Sequence, residues 1–430
     1  MNSAEQAKKV VIIGAGHGGG RTAITLREAG YSGEITILGT EESLPYERPG
    51  LSKGFLQGEE KVDDLYLQPS SWYGDNDVTR RTGVEVTNID PQGRQVTFRE
   101  TARNSSNGSD DVLSEEQSYE TLVLATGSEP RKLDLAGAGA QNICYLRSID
   151  DSQRLRSQLA QAQRVAIIGA GWIGLEVAAA ARRADCAVTV LNREAEPLIG
   201  PLGETLAKMF GELHLENGVT LRNNTSVSKL IMDGDRIVAL ETDAGDQIGT
   251  DLVVAGIGVT PRLSLVADLD LQHAAGGIAV DAQLRSSDPN IYAVGDIAAV
   301  YNEQFDRHIR LEHWAGAMRH PDTLAEVLCG RGAKYDRLPY FFTDQYDLGS
   351  EYVGYVPPEV RDDVEVVVRG DMRSREFIAF YLLDHKILAG MNINIWDVSE
   401  DIEKLIMEET PVTRDELEDS NVALSDLARR

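Results

Sequence analysis

Cysteine is scarce: Cys144, Cys186 and Cys329 are the only three in 430 residues, and they lie far apart. Without a CxxC or CxxxxC pair the chain lacks a sequence-local dithiol relay, and it cannot supply the four thiolates of an iron–sulfur cluster. Each cysteine is most simply a small buried residue. The seven histidines show neither HExxH nor a paired Cys/His spacing, so a structural or catalytic zinc site has little support. Positive charge is also short. Lys and Arg total 42 against 69 Asp and Glu, a net charge of −27, and nucleic acid would be repelled without a local basic patch. Part of the acidic excess falls between Asp397 and Asp419 and reads as a solvated face. No apolar run approaches the ~18 residues of a spanning helix. The longest, such as residues 10–13 and 252–259, are far shorter, so no membrane partner is expected. Residues 1–9 are polar and lack the hydrophobic region of a secretory signal, which makes the cytoplasm the default location.

What is present is an ordinary soluble balance, 42% hydrophobic and 26% charged residues. At about 150 residues per domain the length suggests roughly three domains. Two stretches repeat one pattern. Residues 10–39 read VVIIGAGHGGGRTAITLREAGYSGEITILG, and residues 165–192 read VAIIGAGWIGLEVAAAARRADCAVTVLN. Gly14, Gly16 and Gly19 recur as Gly169, Gly171 and Gly174. Each copy opens on a continuous apolar run, which suits a parallel strand buried on both faces. A glycine turn follows, then a helix with a small residue (Ala23, Ala178) facing its strand, then a second apolar strand.

That turn favours dinucleotides. Its first glycine permits the tight turn, the second lets backbone approach a pyrophosphate, and the third allows close helix–strand packing. The helix N-terminus adds unpaired N–H groups and a positive dipole end. Both copies are therefore expected to bind dinucleotides. The acid expected after each second strand is missing, because Gly39 stands there in the first copy, with Glu41 and Glu42 just beyond. In the second copy the place is taken by Asn192, followed by Arg193 and Glu194. A carboxylate would bind a ribose 2′-hydroxyl and repel a 2′-phosphate. Asn192 with Arg193 removes that repulsion and leaves the choice between NADH and NADPH open.

Residues 119–131 (YETLVLATGSEPR) and 251–262 (DLVVAGIGVTPR) read as apolar strands ending in a turn and an arginine. Residues 290–297 (NIYAVGDI) form another, ending at Asp296. Its carboxylate would reach the crevice where α/β sheets bind ligands, with a helix N-cap as the simpler alternative. Residues 101–117 are polar and read as a long exposed hairpin connection. Beyond Gly330 come short strands with polar turns, at 364–369, 376–383 and 387–389, and a helical stretch from about Ser399. The expected fold class is α/β, with two Rossmann-like dinucleotide-binding domains, one inserted in the other, and a C-terminal α+β domain with antiparallel strands. The expected boundaries are 1–123 with 251–332, then 124–250 for the inserted domain, then 333–430.

Residues 44–54, LPYERPGLSKG, resemble a segment of the FAD-dependent NAD(P)H ferredoxin reductases. That family includes putidaredoxin and rubredoxin reductases, the reductase components of ring dioxygenases and, more distantly, apoptosis-inducing factor. The likeness continues in order through LVLATGSEPR, GAGWIGLEVAA, YAVGDIA, LEHWAGA (311–317) and FFTDQYDL (341–348), nearly the whole chain. It implies that Gly14, Gly16 and Gly19 hold the FAD pyrophosphate and that Arg48 and Lys53 lie along the flavin. Ala125, Arg131 and Asp296 would complete the FAD contacts, with Asp296 on the ribityl chain and Trp314 beside the isoalloxazine ring. Gly169, Gly171 and Gly174 would hold NADH or NADPH. Glu176 would sit near the nicotinamide and pair with Lys53, and Glu312 would be a further contact there. Two departures stand out. Gly50 replaces a second proline, which loosens the loop before Lys53, and Gly18 with Gly20 costs about 1–2 kcal/mol of helix propensity.

FAD and a nicotinamide dinucleotide in one chain imply hydride transfer between stacked rings, with the protein supplying position and charge. A Lys53 ammonium would stabilise reduced flavin, and Glu176 would hold it in place; an ordinary surface ion pair is the plainer alternative. With no cysteine between Arg48 and Lys53, electrons must leave for an external acceptor. The resemblance makes that acceptor a ferredoxin-type carrier feeding an oxygenase. Such carriers are usually acidic, so docking calls for a basic patch, with Arg307, His308, Arg310, Arg319 and His320 as candidates and scattered surface charges as the equally plain alternative. Direct reduction of oxygen or quinones, or a redox-responsive interaction protein, are the alternatives.

Overall fold

The computed structural model describes residues 8–101 and 114–429. They fall into two compact units. The first takes in the described parts of Met1–Arg48, Lys61–Glu129 and Val259–Arg337; the second comprises Pro49–Glu60, Pro130–Gly258 and the described residues from Leu338 onward.

The first unit is built on a parallel sheet in the order Ile291–Ala293, Thr121–Leu124, Lys9–Ile13, Glu34–Gly39, Val78–Thr82. Its central strand, KVVII, buries four consecutive residues, as a strand covered on both faces must. The helix His17–Glu28 that follows packs against the helix Trp314–Leu328. An antiparallel sheet of Val84–Asp90, Gln95–Glu100 and Glu115–Ser118 lies in the same unit. The hairpin connection expected at 101–117 thus joins two paired strands, and its residues 102–113 lie outside the described ones, as does most of the polar N-terminus.

The second unit repeats the plan. Its parallel sheet runs Thr220–Arg222, Ala187–Leu191, Arg164–Ile168, Leu252–Ala255, Ile143–Cys144. It also contains an antiparallel sheet in the order Tyr340–Gln345, Leu348–Gly354, Lys386–Ile393, Glu376–Leu383, Glu365–Asp371. One continuous apolar cluster explains why the C-terminal strands belong here: Leu175 and Phe210, from the helices Trp172–Arg183 and Ile199–Glu216, share it with Phe377 and Met391. Leu56 enters the same cluster, and the Ser152 hydroxyl donates to the Leu51 carbonyl at 2.8 Å, which ties the short stretch Pro49–Glu60 to this unit. The loop before Lys53 is closed into a 3-10 turn, Pro49–Ser52, with the Lys53 N–H bonded to the Gly50 carbonyl at 3.0 Å.

Cys144 and Cys186 are buried, Cys329 is half-buried, and all three are free thiols. Among the described residues no helix is long and apolar enough to cross a membrane. The glycine-rich helix start has a packing cause, because a Cβ on Gly20 would collide with the Pro45 side chain. A Cβ on Gly18 would meet only ordinary contacts, the nearest at 3.7 Å. Helix propensity alone would make Gly20→Ala stabilising. The collision predicts the opposite, a lowered Tm worth about 1–3 kcal/mol, and a Tm equal to or above wild type would show that Pro45 moves aside freely.

Candidate active site

In the first unit the tight turn brings the strand Thr121–Leu124 close, so that a Cβ on Gly14 (φ +113°) would collide with the Ala125 carbonyl oxygen. The second copy reproduces this at Gly169 (φ +103°) against the Gly256 carbonyl. Gly19 and Gly174 each press on the carbonyl of the first glycine in their own turn. These four glycines are accounted for by the chain's own packing.

The middle glycines differ. The Arg48 guanidinium lies over the first turn, with Nη2 3.0 Å from where a Gly16 Cβ would sit. Arg48 donates to Glu41 Oε1 at 2.9 Å and to the Tyr46 hydroxyl at 3.1 Å, while that hydroxyl donates to Glu41 Oε2 at 2.5 Å. Burial opposes the charge on Arg48, but Tyr46 and Glu41 outweigh it and raise its pKa; Asp296 contributes in the same direction. Gly171 has no atom within 4 Å of its would-be Cβ and an ordinary negative φ of −82°. Among the described residues no contact requires glycine there.

Asp296 follows the strand Ile291–Ala293 in a buried 3-10 turn, Gly295–Ile297. The Gly295 N–H donates to His320 Nδ1 at 3.1 Å. Trp314 opens its helix with its ring edge-to-face against His17, centroids 6.2 Å apart. His17 itself is buried, its Nε2 is 2.8 Å from Met318 Sδ, and its Nδ1 has no hydrogen-bond partner among the described residues. Burial, then Arg48 and Arg21, push its pKa down to about 3. The residues fit a dinucleotide: the helix start carries no side-chain cap and no acid in its first turn, and a guanidinium and a buried, unpartnered imidazole nitrogen stand beside it.

The second unit holds a buried charge. Glu176, 4% exposed, accepts from Lys53 Nζ at 2.8 Å and Thr343 Oγ1 at 2.7 Å on Oε1, and from Ser52 Oγ at 2.5 Å on Oε2. Lys53 also lies 5.4 Å from the Phe342 ring centroid. Burial raises the pKa of neighbouring Asp344, with Lys53 opposing and Glu176 adding to the rise. The Asn192 amide is already engaged by Glu194 and Asn223, so it shapes its turn; Arg193 is exposed. Arg131 belongs to this unit and bonds through its N–H to the Gly258 carbonyl at 3.0 Å.

Two docking candidates are corrected. Arg310 is paired with Glu312 at 2.6 Å and donates to the Ala275 carbonyl, and His320 is buried. Neither offers free surface charge. Arg307, His308 and Arg319 are half-buried. Sequence reasoning assigned no role to His17, Tyr46, Ser52 or Thr343. Three of these lie inside quoted motifs and His17 inside the glycine turn, so position was visible but partner was not.

Residues 8–320 match the family described as pyridine nucleotide-disulphide oxidoreductase, and residues 340–428 match one described as reductase C-terminal. The chain is 33% identical over 425 residues to putidaredoxin reductase of Pseudomonas putida, covering 97% of this chain and 96% of that protein. It is 35% identical over 392 residues to the ferredoxin–NAD(+) reductase component of the anthranilate 1,2-dioxygenase system of Burkholderia cepacia, 90% and 91% of the two chains. It also resembles the structure of a covalent putidaredoxin reductase–putidaredoxin complex, with a TM-score of 0.89, 33% identity and 98% of each chain covered.

Burial lowers the His320 pKa to about 4, with Asp296 opposing. The folded value lies below the ~6.5 of an unfolded histidine, so the unfolded chain binds the proton first. The stability this contributes is complete above about pH 6.5 and lost as pH falls toward 4. His320→Asn keeps an acceptor for Gly295 without titrating. Its Tm is expected to fall less steeply than wild type between pH 6.5 and 4, and parallel profiles would exclude this role.

Proposed function

The chain belongs to the pyridine nucleotide-disulphide oxidoreductase family, and on that premise we propose that it is an FAD-dependent NAD(P)H:ferredoxin reductase supplying an oxygenase. The observation that carries this reading is the pairing of two dinucleotide turns with three unpaired cysteines, none of them between Arg48 and Lys53. Disulfide reductases of this plan pass electrons to a cysteine pair beside the flavin; here they leave for a separate carrier. The relatives' names support the ferredoxin: one is a reductase component of a dioxygenase system, and another is solved joined to putidaredoxin. We place the enzyme in the cytoplasm.

When bound, FAD accepts two electrons together from NAD(P)H and gives them up singly to the carrier. In this reading the first unit is the FAD domain. The N–H groups following Gly14 and Gly16 and the guanidinium of Arg48 hold its pyrophosphate; Ala125 shapes the turn, Asp296 takes ribityl hydroxyls and Trp314 lies beside the ring. The second unit binds NAD(P)H at Gly169, Gly171 and Gly174, with Arg193 near the ribose 2′ position. Arg131 remains a proposed FAD contact and Glu312 a proposed nicotinamide contact. Glu176 orients the nicotinamide and holds the Lys53 ammonium, whose fixed charge favours the reduced cofactor.

Anaerobic NADH or NADPH is expected to bleach the flavin, and oxidised ferredoxin to restore its colour faster than air. Faster recovery in air than with any ferredoxin would overturn the proposal and make the protein an oxidase. Gly171→Val is expected to raise KM for NAD(P)H at least about tenfold, because the side chain fills space the ligand uses, while Tm stays unchanged. A lowered Tm with normal KM would assign that glycine to folding. Lys53→Ala and Glu176→Gln are each expected to slow flavin reduction about tenfold or more with FAD retained; unchanged rates would remove the pair from the reaction.

A further inference from the structure

The motif FFTDQYDL forms a hairpin edge in the second unit, and two of its side chains have a purpose the reductase reading does not supply. Thr343 and Gln345 are two residues apart on the strand Tyr340–Gln345 and so share a face. Gln345 Nε2 donates to Thr343 Oγ1 at 3.2 Å, and Thr343 donates to Glu176 Oε1 at 2.7 Å. Behind Gln345 stands His214, from the helix Ile199–Glu216, with Nε2 2.8 Å from Gln345 Oε1. The Tyr346 hydroxyl lies 3.3 Å from His214 Nδ1. Thr343 and Gln345 are 1% exposed and His214 is fully buried.

Hydrogen-bond chemistry gives this chain a direction. An ionised carboxylate only accepts, so the Thr343 proton must go to Glu176. The Thr343 oxygen then accepts from the Gln345 amide nitrogen, which turns the Gln345 carbonyl toward His214. That carbonyl needs a donor, so the imidazole carries its proton on Nε2 and accepts from Tyr346 on Nδ1. Burial lowers the His214 pKa to about 4, which keeps the ring neutral, and burial raises that of Tyr346, which keeps its hydroxyl protonated. Reversing the chain would send the Thr343 proton to Gln345. Thr343 could then meet Glu176 only if the carboxyl were protonated, and the ion pair with Lys53 would be lost.

We propose that Thr343, Gln345 and His214 are positioning residues for the reduction by NAD(P)H: their hydrogen bonds, directed inward from Tyr346, hold Glu176 as an anion with Oε1 shared between Thr343 and Lys53. This rests on the reading that Glu176 and Lys53 act in that step. The tautomer of one buried histidine and the charge of Glu176 are thereby coupled through three hydrogen bonds.

The test uses the FAD-loaded full chain, with anaerobic rapid-mixing reduction by NADH or NADPH and 15N NMR of labelled histidine. The His214 signal is identified by its loss in His214→Asn. Expected in the wild type is a neutral ring protonated at Nε2; protonation at Nδ1 would overturn the proposal. Thr343→Val is expected to slow reduction at saturating nucleotide about tenfold or more, with KM little changed, and Thr343→Ser to recover most of the rate. Gln345→Glu, similar in shape but without the donor, should slow reduction as Thr343→Val does and convert His214 to the imidazolium. Wild-type rates in Thr343→Val and Gln345→Glu, with only Tm lowered, would leave these side chains a structural role alone. If Thr343→Val does not fold, Thr343→Ser, Gln345→Glu and the tautomer still decide. Unchanged reduction in Glu176→Gln would instead sink the catalytic reading of Glu176, while the histidine signal reports on the chain's direction independently.

Discussion

A carboxylate sealed from water must be compensated, and Glu176 is compensated by three donors from two separate stretches of chain. Lys53 and Ser52 come from Pro49–Glu60, Thr343 from the C-terminal sheet, and Glu176 itself from the helix of the second glycine turn. Leaving such a charge unpaired costs on the order of 3–5 kcal/mol. The requirement helps explain why twelve residues interrupting the first unit fold with the second, and why the C-terminal strands do not form an isolated layer. One apolar cluster reaches from Phe210 to Phe377 and joins the C-terminal sheet to the helices of this unit.

The two glycine turns show how one local motif is adapted to two tasks. Their backbones are near copies, with the same positive φ at the first glycine and the same carbonyl beneath the third. Their surroundings are not. A guanidinium braced by Glu41 and Tyr46 covers the first, whereas the middle glycine of the second faces open space. In the proposed reading, the fixed positive charge suits a resident FAD and the open turn suits a nucleotide that enters and leaves at each turnover.

Much of this was legible beforehand. Buried parallel strands announce themselves as unbroken apolar runs, so Lys9–Ile13 and Arg164–Ile168 were readable together with their turns. The strand at 376–383 fell where expected; the one at 387–389 extends to Lys386–Ile393, because polar Asn392 is buried by bonds to Glu351 and the Ile395 carbonyl. The errors came where charge was counted without its partner. Arg310 looked like surface charge until Glu312 was seen across 2.6 Å, and His320 until its ring was found accepting from Gly295.

The amino-acid order by itself determined the repeated strand–turn–helix unit and the lack of a sequence-local dithiol, because each depends on local spacing; the pairing of Lys53 with Glu176, 123 residues apart, was implied only by the family resemblance. Only the tertiary structure decided which residues share a core and which hydrogen bonds run in which direction. Thr343, Gln345 and His214 stand far from Glu176 along the chain. Their roles arise from proximity, and proximity between distant residues is set by packing, which no local pattern encodes.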